Sequence, residues 1–166
     1  MILVAIGANL PDAAGRPALA TCVWARAQLM GIAPVVQVSR WYRTAPVPAS
    51  DQPDYINGVA RLDGGGDPRA VLDALHRIEN IAGRVRGVPN AARVLDLDLL
   101  AIDGQVVAGD GLILPHPRIA QRGFVLLPLS DVAPGWIHPV LGATASVLLA
   151  RIGHDGVSLA CKGPVD

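Results

Sequence analysis

Leu95-Asp96-Leu97-Asp98-Leu99-Leu100 alternates leucine with aspartate, and a period of two is the mark of a strand with one covered face. The leucines then point into a core, and Asp96 and Asp98 share the other face roughly 6–7 Å apart. A strand of this kind needs partners, and the rest of the chain supplies them. Met1 to Ile6 is an apolar run closed by Gly7-Ala8-Asn9-Leu10-Pro11-Asp12, which predicts a buried strand entering a turn. Pro17 suits a first helical turn, and Leu19, Val23, Ala27 and Met30 then form one apolar stripe that Gly31 ends. Val35 to Thr44 and Tyr55 to Leu62, rich in β-branched and aromatic residues, predict two strands separated by a loop. Asp67-Pro68 caps a helix whose buried face is Val71, Leu75, Ile78 and Ala82 and which Gly83 stops. Arg93 to Ile102 is the strand that carries the aspartates.

The resulting order, strand, helix, strand, strand, helix, strand, predicts an α+β fold with a ferredoxin-like split βαβ core: an antiparallel sheet with helices packed on one face. Beyond it, Gly104 to Gly111 predicts a hairpin, Pro117 to Ser130 short helical pieces broken by Pro128, and Ala143 to Ile152 a last helix. The 166 residues suffice for one core burying about 70% of the unfolded surface. A single domain over 1–166 is expected, with the tail from about residue 153 loosely held.

Composition narrows the partners. With 51% hydrophobic and 17% charged residues the chain is not disordered, and 18 Gly with 14 Pro oppose a coiled coil. Fourteen basic residues balance 14 acidic ones, so no net field draws it to nucleic acid or to an anionic membrane. A split βαβ order also occurs in RNA-binding modules, but those need sheet aromatics and a basic face, and aromatics are 4% here. Neither nucleic acid nor membrane is expected as a partner. The apolar opening, Ile2 to Ile6, is too short for a span and lacks the features of a signal peptide. Cys22 and Cys161 read as thiols in a reducing compartment, and a cytoplasmic location is expected.

Two carboxylates on one strand face form a hard, oxygen-rich site suited to Mg²⁺ that takes further ligands from phosphates; a solvated face is the alternative. Asp is a poor strand former and like charges repel, so the pair needs compensation. Arg84, Arg86 and Arg93 flank the loop Gly87 to Ala92 just before the strand, and Arg suits bidentate capture of phosphate. A Walker-type loop is absent, and the single Lys, Lys162, lies in the tail. Tyr55 and Asn57, two apart, place an aromatic plate beside an amide able to read a heteroaromatic edge. A Tyr at a strand start and an Asn in a turn are the plainer alternative. His116, between Pro115 and Pro117, and Arg122-Gly123-Phe124 say little alone.

Together, these blocks carry a resemblance. Ala5 to Leu10, Tyr42 to Val47, Asp51 to Asn57, Ile78-Glu79 with Gly83 to Arg86, Arg93 to Leu100, Pro115 to Arg118, and Arg122 to Leu129 with Ala133-Pro134 resemble, in order and spacing, 6-hydroxymethyl-7,8-dihydropterin pyrophosphokinase of folate biosynthesis. The resemblance covers residues 2 to about 150. It implies transfer of a pyrophosphoryl group from ATP to the pterin hydroxymethyl oxygen, with release of AMP and two Mg²⁺ ions. It implies Asp96 and Asp98 as metal ligands and, with Arg84 and Arg93, as catalytic residues. Tyr55 and Phe124 would sandwich the pterin, whose edge Asn57 and backbone groups of Thr44, Pro46 and Val47 would read. Arg84, Arg93, His116 and Arg122 would contact the triphosphate, and His76, Glu79 and backbone near Leu99 and Ile113 the nucleotide. A monomer is expected. The family's mobile loop usually carries an aromatic, most often Trp; here Val88 to Arg93 has none and is about one residue shorter. A pterin-binding relative with a defective lid, non-catalytic or altered in substrate, is therefore the second reading.

Overall fold

A computed structural model describes residues 1–46, 49–85, 92–109, 111–154 and 156–160. Val47, the loop residues Arg86 to Ala91, Cys161 and Lys162 lie outside the described residues.

The predicted order is present. Strand β1 (Ile2–Ala8) leads to helix α1 (Ala18–Leu29), strands β2 (Val35–Val38), β3 (Tyr42–Thr44) and β4 (Tyr55–Leu62), helix α2 (Pro68–Ile81) and strand β5 (Asp96–Ile102). β1 pairs antiparallel with both β4 and β5, and β4 carries β2 and β3 on its far side, which is the antiparallel split βαβ sheet. α2 starts as read, with the Asp67 carboxylate accepting from Ala70 N–H at 3.0 Å and Pro68 in its first turn. It ends at Gly83, whose φ of +92° suits glycine and whose position leaves no room for a Cβ, since one would lie 2.8 Å from the Ala13 Cβ.

Four readings change. On α1 the buried positions are Thr21, Cys22, Ala25 and Leu29, whereas Met30 is 68% exposed. The stripe of large residues is not the inward one, because small Cys22 and Ala25 let the helix lie close to the sheet. The single strand expected over Val35 to Thr44 divides in two. Val38 pairs with Ala60 and Tyr42 with Asn57, so four steps on one side oppose three on the other. Ser39 absorbs the surplus residue: its N–H donates to Val59 O and its Oγ accepts from Val59 N–H, both at 2.9 Å. Trp41 then folds over Gly58, where any Cβ would meet its ring at 2.6 Å.

Third, helix α3 (Gly123–Val132) runs through Pro128, preceded by a single 3-10 turn, Ile119–Gln121. Pro128 forfeits one backbone bond, yet it is buried with Leu126, Leu129 and Val132, and that packing holds the helix. α3 and helix α4 (Ala145–Ile152) cover the second face of the sheet, so helices lie on both faces. One core joins α1 and α2 to Ile2, Val4, Ile6, Leu97 and Leu99; the other joins α3 and α4 to Leu3, Val59, Leu100 and Ala101. A register shift between Leu3 and Val4 lets Leu100 and Ala101 both reach the second core. Fourth, a hairpin, β6 (Val107–Gly109) with β7 (Leu112–Leu114), is present as expected, but a strand after residue 153 is not foreseen: β8 (Val157–Leu159) pairs with β3. Among the described residues no helix is long and apolar enough to cross a membrane.

Candidate active site

The second sheet face is covered by α3 only over part of its length, and the remainder forms the floor of a cavity of about 200 Å³. Register assembles that floor. Asn57, Gly7 and Asp96 lie opposite one another across β4, β1 and β5; Thr44 lies opposite Tyr55, and Ala5 opposite Asp98. The period-two reading is thus realised: Asp96 and Asp98 face the cavity, while Leu97 and Leu99 enter the α1/α2 core. Gly7 keeps the floor low, since a Cβ there would lie 3.4 Å from Asn57 Oδ1 and 4.0 Å from Asp96 Cβ.

The carboxylates are compensated by arginine. Asp96 Oδ1 accepts from Arg84 Nη1 at 2.5 Å, and its Oδ2 accepts from Arg93 Nη1. Asp98 Oδ2 accepts from Arg122 Nη1 at 3.3 Å and stands 4.0 Å from His116 Nε2. Arg84 also donates to Glu79, whose Oε1 accepts Leu97 N–H at 2.8 Å. Burial pulls the Arg84 guanidinium down, but Asp96 and Glu79 outweigh it and hold Arg84 above its ordinary pKa. His116 is fixed by its own N–H to Leu100 O at 2.8 Å, and its Nδ1 accepts Arg118 N–H at 3.1 Å, which leaves the Nε2 edge toward Asp98. Burial lowers the His116 pKa, against the opposing pull of Asp98.

The other end of the cavity is aromatic and amide in character. Tyr55 and Phe124 both line it, and Arg122 lies over the Phe124 ring at 5.6 Å, joining the aromatic end to Asp98. Asn57 Nδ2 donates to Thr44 Oγ1 at 2.9 Å, which orients the amide. Thr44, Pro46 and Arg93 complete the wall.

The structure therefore brings together Thr44, Pro46, Tyr55, Asn57, Arg93, Asp96, Asp98, Arg122 and Phe124 as cavity lining, with Arg84 and His116 directly behind. Glu79, expected on the nucleotide side, turns inward instead: it is 1% exposed and holds Arg84 and the start of β5. His76 on α2, the exposed Ile113 on β7 and the core residue Leu99 are not part of the cavity wall; Leu99 offers only backbone. Gly7, Ser50 and Gln52 line the cavity without having been singled out. A glycine inside an apolar strand was the available signal for the first. Among the described residues no three of His, Cys, Asp and Glu cluster as a metal site.

The sequence matches the family described as 7,8-dihydro-6-hydroxymethylpterin-pyrophosphokinase over residues 3–134. The 2-amino-4-hydroxy-6-hydroxymethyldihydropteridine pyrophosphokinase of Pseudomonas aeruginosa is 38% identical over 156 residues, 94% of this chain and 94% of the relative. That of Methylorubrum extorquens is 36% identical over 152 residues, 92% and 93% of the two chains. The folic acid synthesis protein fol1 of Pneumocystis carinii is 34% identical over 122 residues, 73% of this chain but only 16% of that much longer protein. The HPPK-DHPS crystal structure from Plasmodium falciparum with pterin and p-hydroxybenzoate superimposes with a TM-score of 0.68 at 12% identity, over 90% of this chain and 43% of that one. That likeness is one of fold.

Proposed function

We propose that this chain, which belongs to the 7,8-dihydro-6-hydroxymethylpterin-pyrophosphokinase family, transfers pyrophosphate from ATP to the hydroxymethyl group of 6-hydroxymethyl-7,8-dihydropterin and releases AMP, a step of folate biosynthesis. The observation that carries the reading is one cavity whose wall holds two arginine-backed carboxylates, an amide and two aromatic side chains.

At the aromatic end, Tyr55 and Phe124 offer faces for a flat heterocycle, and Asn57, oriented by Thr44, offers an amide to its polar edge. Backbone groups of Thr44 and Pro46 flank that edge. At the acidic end the donor set fits a hard cation: two carboxylates on one strand face, with no thiolate and no third protein ligand among the described residues. Asp96 and Asp98 would hold two Mg²⁺ ions, which supply neutralisation of triphosphate charge and polarisation of the β-phosphorus. Arg84, Arg93 and Arg122 exchange carboxylate for phosphate oxygens when nucleotide binds, and their planar donors orient the chain of phosphates. The neutral His116 keeps its proton on Nε2, because Nδ1 accepts a backbone N–H, and so presents a donor beside Asp98. The hydroxymethyl oxygen forms its bond to the β-phosphorus as the bond to the oxygen shared with the α-phosphate breaks. Positioning the two ends in one cavity supplies most of what such a transfer needs.

A monomer and a cytoplasmic location are part of the same proposal, the latter resting on the reducing compartment to which two sparse cysteines point. The direct test mixes the protein with ATP, Mg²⁺ and the dihydropterin and follows AMP. AMP formation that stops when EDTA is added is expected; no AMP, with pterin still bound, would make the chain a pocket-only relative.

A further inference from the structure

Asp131 sits in the last turn of α3 and does not belong to the cavity wall. Its carboxylate nevertheless binds β3 and the residues leading into it. Arg40 donates from Nη2 to Oδ1 at 2.8 Å, and from Nε and its backbone N–H to Oδ2, both at 3.2 Å. The Tyr42 hydroxyl donates to the same Oδ2 at 2.8 Å. Arg40 lies over the Tyr42 ring at 5.6 Å, and Gln37 Nε2 donates to the backbone oxygen of Asp131 at 3.0 Å. Burial, and then the Asp131 carboxylate, push the Tyr42 phenol up to about 12, so the hydroxyl stays protonated and donating.

Both partners of the Tyr42–Asp131 bond lead toward the cavity. Tyr42, 3% exposed, lies opposite Asn57 in the β3–β4 register, so its ring stands on the same sheet face as the Asn57 amide. Thr44 Oγ1, two residues along β3, accepts from that amide at 2.9 Å. Phe124 and Asp131 are two helical turns apart, which places them on one side of α3, separated by about 10 Å along its axis. We infer that Tyr42 and Asp131 are positioning residues: their bond sets the gap between the Phe124 ring on α3 and the Asn57 amide on the sheet, and so the affinity for a flat heterocycle. Leu126, Leu129 and Val132 pack α3 into the second core independently of this bond, so it sets alignment more than attachment. Arg122, at the start of α3, reaches Asp98 through a long side chain, whose rotatable bonds absorb a small shift of the helix; a ring face set against a flat ligand does not.

The inference rests on the pyrophosphokinase reading for its ligand, and the two fail differently. Calorimetry titrates Mg²⁺ with α,β-methylene-ATP, whose α–β link resists transfer, into the protein. It then titrates 6-hydroxymethyl-7,8-dihydropterin into the protein saturated with that nucleotide. Tyr42→Phe removes the hydroxyl alone, and Asp131→Asn keeps the side chain's shape but turns an amide NH₂ toward donors. Well below the variant's melting point, each is expected to weaken the pterin by about tenfold and to leave the nucleotide unchanged. The double variant is expected to bind the pterin no more weakly than Asp131→Asn, because both changes break one bond. A variant that melts earlier but binds the pterin as wild type does would overturn the inference. So would equal loss of both ligands by Tyr42→Phe, or a double variant whose pterin loss is the product of the two single losses. Wild type that binds both ligands yet forms no AMP would overturn the transfer activity and leave the variant result readable; wild type that binds no pterin would overturn both.

Discussion

Removing the Asp98 carboxylate leaves Arg122 and His116 facing a gap on the cavity floor, with little apolar packing disturbed, because the side chain is only part-buried and faces the cavity, on the side of the sheet away from the α1/α2 core. Asp98→Ala should therefore fold normally by circular dichroism and lose AMP formation by about 100-fold or more; unfolding under conditions where wild type is folded would show that the aspartate is structural. His116 makes a second prediction. Its pKa in the folded chain lies below the ordinary 6.5 because burial disfavours the imidazolium. Below pH 6.5 the unfolded chain takes up a proton that the folded chain resists, so stability contributed by the neutral ring is present above that value and is lost as pH falls through it. An NMR titration without added Mg²⁺ or nucleotide should give a folded-state pKa under 6.5; a value at or above it would contradict the geometry. Residues that repeat with the strand period, Asp96, Asp98, Tyr55 and Asn57, were legible in sequence because alternation fixes which side chains share a face. Glu79 was legible as an unusual residue but not as an inward one, because its burial depends on the bond from Leu97 N–H on the next strand, which periodicity does not encode.

At the scale of elements, α2 delivers Arg84 to Asp96, and Gly83 is the joint that makes this delivery accurate. Gly83→Ala adds a Cβ at φ +92° and 2.8 Å from the Ala13 Cβ. It should lower unfolding free energy by about 2–4 kcal/mol, seen as an earlier urea midpoint, and raise the ATP KM more than the pterin KM as Arg84 shifts. An unchanged midpoint would show that the joint yields freely. The helix caps of α2 were readable because Asp-Pro and Gly act locally. The stripe of α1 was misread because an alanine-rich helix has apolar side chains all round, and the face that packs is the one with the smaller residues, Cys22 and Ala25. The division of β2 from β3 was hidden because a one-residue surplus is visible only against the partner strand. Pro128 was overrated as a breaker because its burial in the second core was not foreseeable.

For the whole molecule, the sheet is enclosed by α1 and α2 on one face and by α3 and α4 on the other, with the site opening beside the first turn of α3. β8 extends this arrangement by pairing Val157 with Thr44, so residues after 153 buttress the strand that leads to the backbone proposed to read the pterin edge. Truncation after Ile152 should weaken pterin binding by about tenfold with ATP binding unchanged, as measured by calorimetry; equal loss of both would point to general unfolding. Overall neutrality conceals a local pairing of arginine with Asp96 and Asp98, and in the proposed reaction those arginines would meet phosphate as cations take the carboxylates. Phosphorus NMR of a reaction containing ATP, Mg²⁺ and 6-hydroxymethyl-7,8-dihydropterin tests this most directly. AMP and a pterin diphosphate should rise in equal amounts, with none formed by Asp98→Ala; ADP or orthophosphate in their place would contradict transfer of an intact pyrophosphoryl group.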